Sequence, residues 1–311
     1  MHERLAEANR SPQVAWKRSS PLSRWLRKQT APYLLLLPFA IPFALFYAWP
    51  AIQTVTLSFD GRGLRVRPYV GLQNFEKLLS DRVFQTALVN TVAMAIVVVV
   101  VSTLLALGIA LLAFHRARKW HIFFRAAFYL PVVASFVVLT VVWLNLYHPV
   151  NGILNQALAV FGIDRVLWLG ETESAFWAVA LVVISLSVGG PVIIYLAALG
   201  GIPTELLEAA RIDGATRWQE TRLVTVPLLK PATLFVVITG VISTSQIFVV
   251  VQLLTQGGPI NSTETLVFRI YRTAFSFSEF GYAAAMSLVL LVLVIVFTIL
   301  QLRLSGREIT Y

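Results

Sequence analysis

The sequence contains no cysteine. Disulfides, thiolate metal sites and cysteine nucleophiles are therefore excluded. Charge is scarce as well. Asp, Glu, Lys and Arg make up 13% of the 311 residues, against roughly a quarter in an ordinary soluble domain. The four histidines (His2, His115, His121 and His148) are scattered over the tail and the connections, which is not the spacing of a metal cluster. Catalytic signatures are missing too. No G-x-x-x-x-G-K-[ST], H-E-x-x-H or G-x-S-x-G occurs, so the sequence offers no phosphate loop, no zincin site and no nucleophile elbow.

Apolar residues are abundant, at 58% of the chain with a mean hydropathy of +0.77. Water is not the main solvent of such a chain. A soluble enzyme, a disordered tail and a nucleic-acid-binding domain are all poor readings. A bilayer core about 30 Å thick needs roughly 20 apolar residues per crossing helix. Six stretches qualify: Tyr33–Leu57, Leu88–Phe114, Ile122–Leu146, Ala175–Leu199, Thr233–Leu254 and Tyr282–Leu302. The run Val97–Val101 would read as a buried strand in water, but an open strand in lipid leaves backbone groups unpaired, so a helix is expected. Pro38, Pro42 and Pro50 predict kinks or an early end in the first span. The expected fold is an all-α integral membrane protein with six transmembrane helices. Residues 1–32 read as a cytosolic tail, because their long basic stretch is not followed by a small-residue cleavage pattern. Residues 33–303 form the membrane domain and 304–311 a short cytosolic end.

Lys and Arg set the orientation. Arg4, Arg10, Lys17, Arg18, Arg24, Arg27 and Lys28 precede span one. Arg116, Arg118 and Lys119 separate spans two and three, and Arg125 lies just inside span three. Arg211, Arg217, Arg222 and Lys230 separate spans four and five, and Arg303 and Arg307 follow span six. The opposite side carries fewer: Arg62, Arg65, Arg67, Lys77, Arg82, Arg165, Arg269 and Arg272. Both termini are thus expected in the cytosol. The net charge of +10 is mostly an orientation signal, and nucleic acid is not an expected partner.

The spans hold almost no ionisable residue apart from Arg125, which can snorkel to the cytosolic end. Ion-driven pumps usually keep an acid or histidine at membrane depth, although backbone carbonyls can bind a coupling ion instead. The polar residues that remain are neutral. Span four carries Ser185, Ser187, Gly189, Gly190, Pro191 and Tyr195. Span five carries Thr239, Gly240, Ser243, Thr244, Ser245, Gln246 and Gln252. Hydroxyls and amides both donate and accept, which suits a hydroxyl-rich neutral ligand such as a sugar. The same residues also serve helix packing. Gln246 lies mid-span, where an amide facing lipid is costly.

The connection over 200–231 is the longest between spans. Pro203 and Thr204 predict a helix start, Gly214 a stop, and Thr216 with Gln219 a capping box for a second short helix. Pro227 and Pro231 set the re-entry into the membrane. Ala209 and Ala210 leave a low surface on which another protein can seat. Glu208, Arg211 and Asp213 offer it charged contacts.

Three motifs carry a resemblance. Glu208-Ala209-Ala210, Gly214, Val224 and Val226-Pro227 resemble the E-A-A-x3-G-x9-I-x-L-P loop of bacterial ABC-importer permeases, with Val at the Ile and Leu positions. Gln252 to Thr255 and then Gly257-Gly258-Pro259, followed by Thr263 and Thr265, are similar to the Q-L-L-T-x-G-G-P segment of MalF/UgpA-type carbohydrate permeases. Val70 to Phe75 resembles that family's G-L-x-N-[FY]. The motifs fall in the family's order across nearly the whole chain.

The resemblance implies a type I ABC importer permease fold with a cytosolic coupling helix. It implies one half of a pore in a bacterial inner membrane, completed by a second homologous permease of MalG/UgpE type. It further implies a MalK/UgpC-type ATPase dimer docked on Glu208, Ala209, Ala210, Asp213, Gly214 and Pro227, and an extracytoplasmic solute-binding protein. ATP and Mg would be bound by the ATPases, and no cofactor or metal by this chain, which would not be an enzyme. Aligned backwards from Gly257-Gly258-Pro259, the sugar-contacting positions of a maltose-type relative fall on Gly240, Thr244, Gln246 and Ile247. Gly240 and Ile247 lack polar side chains, which departs from a maltose-like set. Ser187 and Tyr195 are added from span four. The expected substrate is a di- or oligosaccharide or a sugar-like polyol. The alternatives are a glycerol-3-phosphate-type permease, an ABC permease for amino acids or peptides, an ion-coupled transporter and a membrane enzyme.

Overall fold

The structure is a computed structural model that describes residues 33–61, 68–114, 127–128 and 134–304. The expected tail over 1–32, the chain end from 305, the positive cluster Arg116–Lys119 and the first half of the third span lie outside the described residues. Contacts divide the chain into two units, Met1–Gln53 and Thr54–Tyr311.

The first unit contributes most of helix α1, Tyr33–Leu57. Pro50 does not end this helix. The stretch Ala44–Ala48 widens into a π-turn, and the N–H of Trp49 bonds back to the carbonyl of Ala44. A proline ring clashes with the carbonyl four residues back and removes one hydrogen bond. The π-turn lies immediately before Pro50, where such a local adjustment accommodates the missing bond.

In the second unit, a short helix α2 (Gln73–Ser80) precedes α3 (Arg82–Phe114). The Asp81 carboxylate caps α3 by accepting from the N–H groups of Val83 and Phe84 at 2.9 and 3.1 Å. Helix α3 begins six residues before the expected Leu88, because the apolar pattern gives no sign of the polar first turn that Asp81 caps. One buried stripe of α3 holds Ala87, Thr91, Met94, Val98, Ser102, Ala106, Ala110 and Ala113. Small residues at helical spacing let neighbouring backbones approach. Thr91 returns its hydroxyl to the carbonyl of Ala87, so its polarity costs little in an apolar setting.

Helix α4 (Phe136–Leu146) is the described part of the third span, and α5 (Ile153–Val160) lies outside it. One expected single span is instead a bent pair. Helices α6 (Thr172–Ser187) and α7 (Gly189–Gly200) meet at 41°. The connection over 200–231, expected on the inner side, forms α8 (Thr204–Ile212) and α9 (Arg217–Leu228), and α9 meets α10 (Lys230–Ser245) at 61°. The span expected over Thr233–Leu254 stops at Ser245 and resumes as α11 (Val249–Leu254). Helix α12 (Leu266–Tyr271), extended by a π-turn to Ser276, leads to α13 (Phe280–Leu304). Among the described residues, three helices, or up to five counting each bent pair as one span, are long and apolar enough to cross a membrane. Helices α6, α7 and α10 pack around α3, and among the described residues there is no strand beyond one isolated bridge, Asp60 to Tyr69.

Candidate functional site

Two features of the second unit are built for something other than packing: a cavity at the broken fifth span and the exposed inner connection. The cavity encloses about 270 Å³ and is lined by Phe136, Val183, Ser187, Ser243, Thr244, Gln246, Ile247, Phe248, Val249 and Val250. Its origin is the interruption between α10 and α11. Helix α10 ends with turn-like bonds from Gln246 N–H to Ser243 and from Ile247 N–H to Thr244. Residues Gln246 to Phe248 then run as irregular backbone, which at membrane depth is tolerated where it lines a cavity or is buried in protein.

No lining residue is ionisable. The polar groups are three hydroxyls and one amide, set among two phenyl rings and four aliphatic side chains. Such a surface stacks on the apolar face of a ring and exchanges hydrogen bonds with hydroxyls, without holding a fixed charge.

Three of the five residues expected to contact substrate, Ser187, Thr244 and Gln246, meet in this cavity. Ile247, marked by the alignment but apolar, lines it as well. The other two lie elsewhere. Gly240 faces α3, where an added Cβ would lie 3.3 Å from Val99, so its missing side chain serves close helix approach. Tyr195 is fully buried, and its hydroxyl donates to Thr233 at 3.1 Å. The rings of Phe136 and Phe248 escaped the sequence reading because phenylalanine has no contrast in a chain this apolar.

The inner connection is a folded unit. Its first helix, α8, ends in paired bonds from Ala215 N–H to Ala210 and from Gly214 N–H to Arg211, with Gly214 at φ +82°. This is the left-handed glycine termination that pairs the carbonyls of the last turn. The capping box forms as expected, Gln219 accepting from the Thr216 N–H at 2.8 Å and Thr216 from the Gln219 N–H at 3.4 Å. Between the two helices, Arg211 donates twice to Glu220, at 2.8 and 3.0 Å, and Glu220 is 3% exposed. That hydrogen bond raises the Arg211 guanidinium above its usual range. A bidentate pair fixes direction as well as distance, so α8 is held to α9, which runs into α10.

The motif residues face outward from this frame. Glu208, Ala209, Asp213, Gly214 and Pro227 are exposed, and Ala210 is half-buried. Beside them Ile212, Trp218 and Leu223 are 86%, 71% and 68% exposed. Large apolar side chains thus stand exposed on a rigid, charged frame.

The Gly257-Gly258-Pro259 motif, expected on the outer side, is the opposite. Gly257 is buried at φ +85°, the Gly258–Pro259 bond is cis, and Thr263, Glu264 and Thr265 are all buried. Glu264 is fully enclosed, 3.6 Å from Arg269 and 3.3 Å from Arg272. Burial pushes its carboxyl above the usual range, and the two guanidinium groups oppose this without cancelling it. At Asp81 burial also pushes upward. There the hydroxyl of Tyr282, the N–H of Phe84, the charge of Arg269 and the N–H of Val83 prevail, and the carboxyl lies below its usual range.

A helical fold with membrane-length apolar helices, a neutral cavity at a broken span and an exposed connection between spans fits a membrane transport component. Residues 105–309 match the family described as binding-protein-dependent transport system inner membrane component, and the chain belongs to that family. It is 35% identical over 284 residues to the probable ABC transporter permease protein YurN of Bacillus subtilis, covering 89% of this chain and 97% of that one. It is 34% identical to the lactose transport system permease protein LacF of Rhizobium radiobacter, covering 86% and 92%. The fold matches a chain of a bacterial ABC transporter that imports the acidic polysaccharide alginate, with a TM-score of 0.82 at 24% identity, over 94% of this chain and all of that one. The protein is thus a permease component of an ABC importer, not an enzyme, and its family resides in the inner membrane.

Proposed function

We propose that this chain forms half of the translocation path for a neutral di- or oligosaccharide or a sugar-like polyol. The observation that carries the proposal is the chargeless cavity at the break in span five, which combines phenyl rings with hydroxyl and amide groups. The lactose permease LacF, similar over most of both chains, supports the sugar class. In this reading a second homologous permease completes the pore. A solute-binding protein delivers substrate on the outer side, and an ATPase dimer seats on Glu208, Ala209, Ala210, Asp213, Gly214 and Pro227. ATP and Mg bind to the ATPases, and both termini lie in the cytosol. Movement of the ATPases passes through the Arg211–Glu220 pair to α10, and α10 carries Ser243 and Thr244 on the cavity wall. Alternating access then requires only that the two conformations be bound differently by nucleotide and substrate.

The test is uptake by the assembled importer in membrane vesicles, using lactose, other neutral disaccharides, alginate oligosaccharides and glycerol-3-phosphate as probes. Uptake of a neutral sugar that needs ATP and weakens in Gln246→Leu is the expected result. Uptake restricted to the anionic probes would overturn the substrate class. Accumulation driven by an ion gradient in the lone chain would overturn the mechanism.

A further inference from the structure

The break in span five has no proline or glycine of its own, since the local sequence runs Thr244-Ser-Gln-Ile-Phe-Val249. What holds it open comes from beyond the next turn. The Thr265 hydroxyl donates to the carbonyl of Ile247 at 3.1 Å, and Thr265 is 2% exposed. That carbonyl belongs to a cavity-lining residue whose helix has been interrupted. One residue on, the Phe248 ring packs on Phe268 and Tyr271 of α12, with centroids 6.1 and 4.8 Å apart. Phe268 in turn fits against Gly257, where any added Cβ would lie 2.9 Å from its ring edge.

This segment is itself anchored to α3. The Asn90 amide donates to the carbonyls of Asn261 and Glu264 at 2.9 and 3.1 Å, and Thr91 accepts from the Leu266 N–H at 2.8 Å. Within the turn, Thr263 donates to the Gly258 carbonyl at 2.8 Å. The chain of contacts therefore runs from α3 through the Gly-Gly-Pro turn to the two residues that break span five.

We infer that the outer Gly-Gly-Pro segment braces the cavity wall from behind without lining it, and that Thr265 is a positioning residue that sets the place of Ile247 and Phe248 for the substrate. This inference rests on the reading of the cavity as the sugar path. Thr265 does not itself line the cavity. Its effect on substrate passes through the backbone carbonyl it holds.

Two measurements on the assembled importer test this. Thr265→Val keeps the shape of the side chain and removes the donor, and Thr265→Ser keeps the donor. With lactose as probe, Thr265→Val should raise KM about fivefold, the worth of one hydrogen bond, with kcat little changed. Thr265→Ser should restore the parent KM. In parallel, amide hydrogen exchange over 246–250 should quicken in Thr265→Val and not in Thr265→Ser, while that of α3 stays as in the parent. Parent-like exchange in Thr265→Val, or a Thr265→Ser variant as impaired as Thr265→Val, would overturn the inference. The exchange arm decides without transport: if the parent moves no sugar, the functional reading falls while the positioning role of Thr265 is still judged.

Discussion

The outer segment after α11 and the inner connection between α7 and α10 each carry a motif equally plain in the sequence, yet they place its residues in opposite ways. In the outer segment Gly257, Thr263, Glu264 and Thr265 are buried, and their bonds go to the protein's own backbone and side chains. In the inner connection Glu208, Ala209, Asp213 and Gly214 are exposed, and the side-chain bonds that keep the unit folded are made by other residues, Arg211, Thr216, Gln219 and Glu220. One motif is used up in shaping its own molecule. The other leaves its side chains exposed.

The sharpest way to break this contrast is to remove charge from the outer core. Glu264→Ala leaves Arg269 and Arg272 facing an empty carboxylate site. Loss of one partner from a buried ion pair costs about 3 kcal/mol or more, so thermal unfolding of the solubilised protein should fall by several degrees. A matched pair of glycine substitutions comes next. Gly257→Ala meets both a positive φ and the Phe268 ring, and should cost about 2 kcal/mol. Gly214→Ala meets a positive φ with open space around it, and should cost about 1 kcal/mol. Equal losses on unfolding would remove the distinction between the two regions.

Glu208→Arg is expected to change stability by less than about 0.5 kcal/mol, as an exposed substitution does, and yet to abolish ATP-dependent uptake while the permease stays in the membrane. Normal uptake would detach this residue from the docking role. The smallest effect concerns pH. The Asp81 carboxyl lies below its usual value of 3.8, so its contribution to stability is complete above that value and is lost as pH falls through the lower, folded one. Relative to Asp81→Asn, the parent should keep its unfolding advantage from pH 7 to 5 and lose it below about 4.

How much of this was legible in the sequence follows from the range of the interactions. Local signals were readable. The Thr216–Gln219 capping box, the Gly214 stop and the start of α8 at Thr204 all stand where three or four residues specify them. The apolar stretches marked the long helices α1, α3 and α13 for the same reason. The breaks were only partly readable. Pro227 and Pro231 flank the 61° bend at Leu229, but the interruption at Gln246 has no such local mark, and Ile247 is held by Thr265, eighteen residues on. The family alignment pointed to Thr244, and the polar residues of span four to Ser187 but also to Tyr195, because side-chain type alone does not say that Thr233 waits on the neighbouring helix.

The absence of native cysteine opens the most direct measurement of the central claim, that the cavity at the break is the substrate path. A single cysteine is placed at Ser243, on the cavity wall, or at Gly240 against α3 as the comparison, in the assembled importer. Maleimide labelling is then followed with and without saturating transported sugar. Labelling at 243 should be rapid and slowed severalfold by the sugar, with no sugar effect at 240. An identical rate at 243 with and without the sugar would contradict the account.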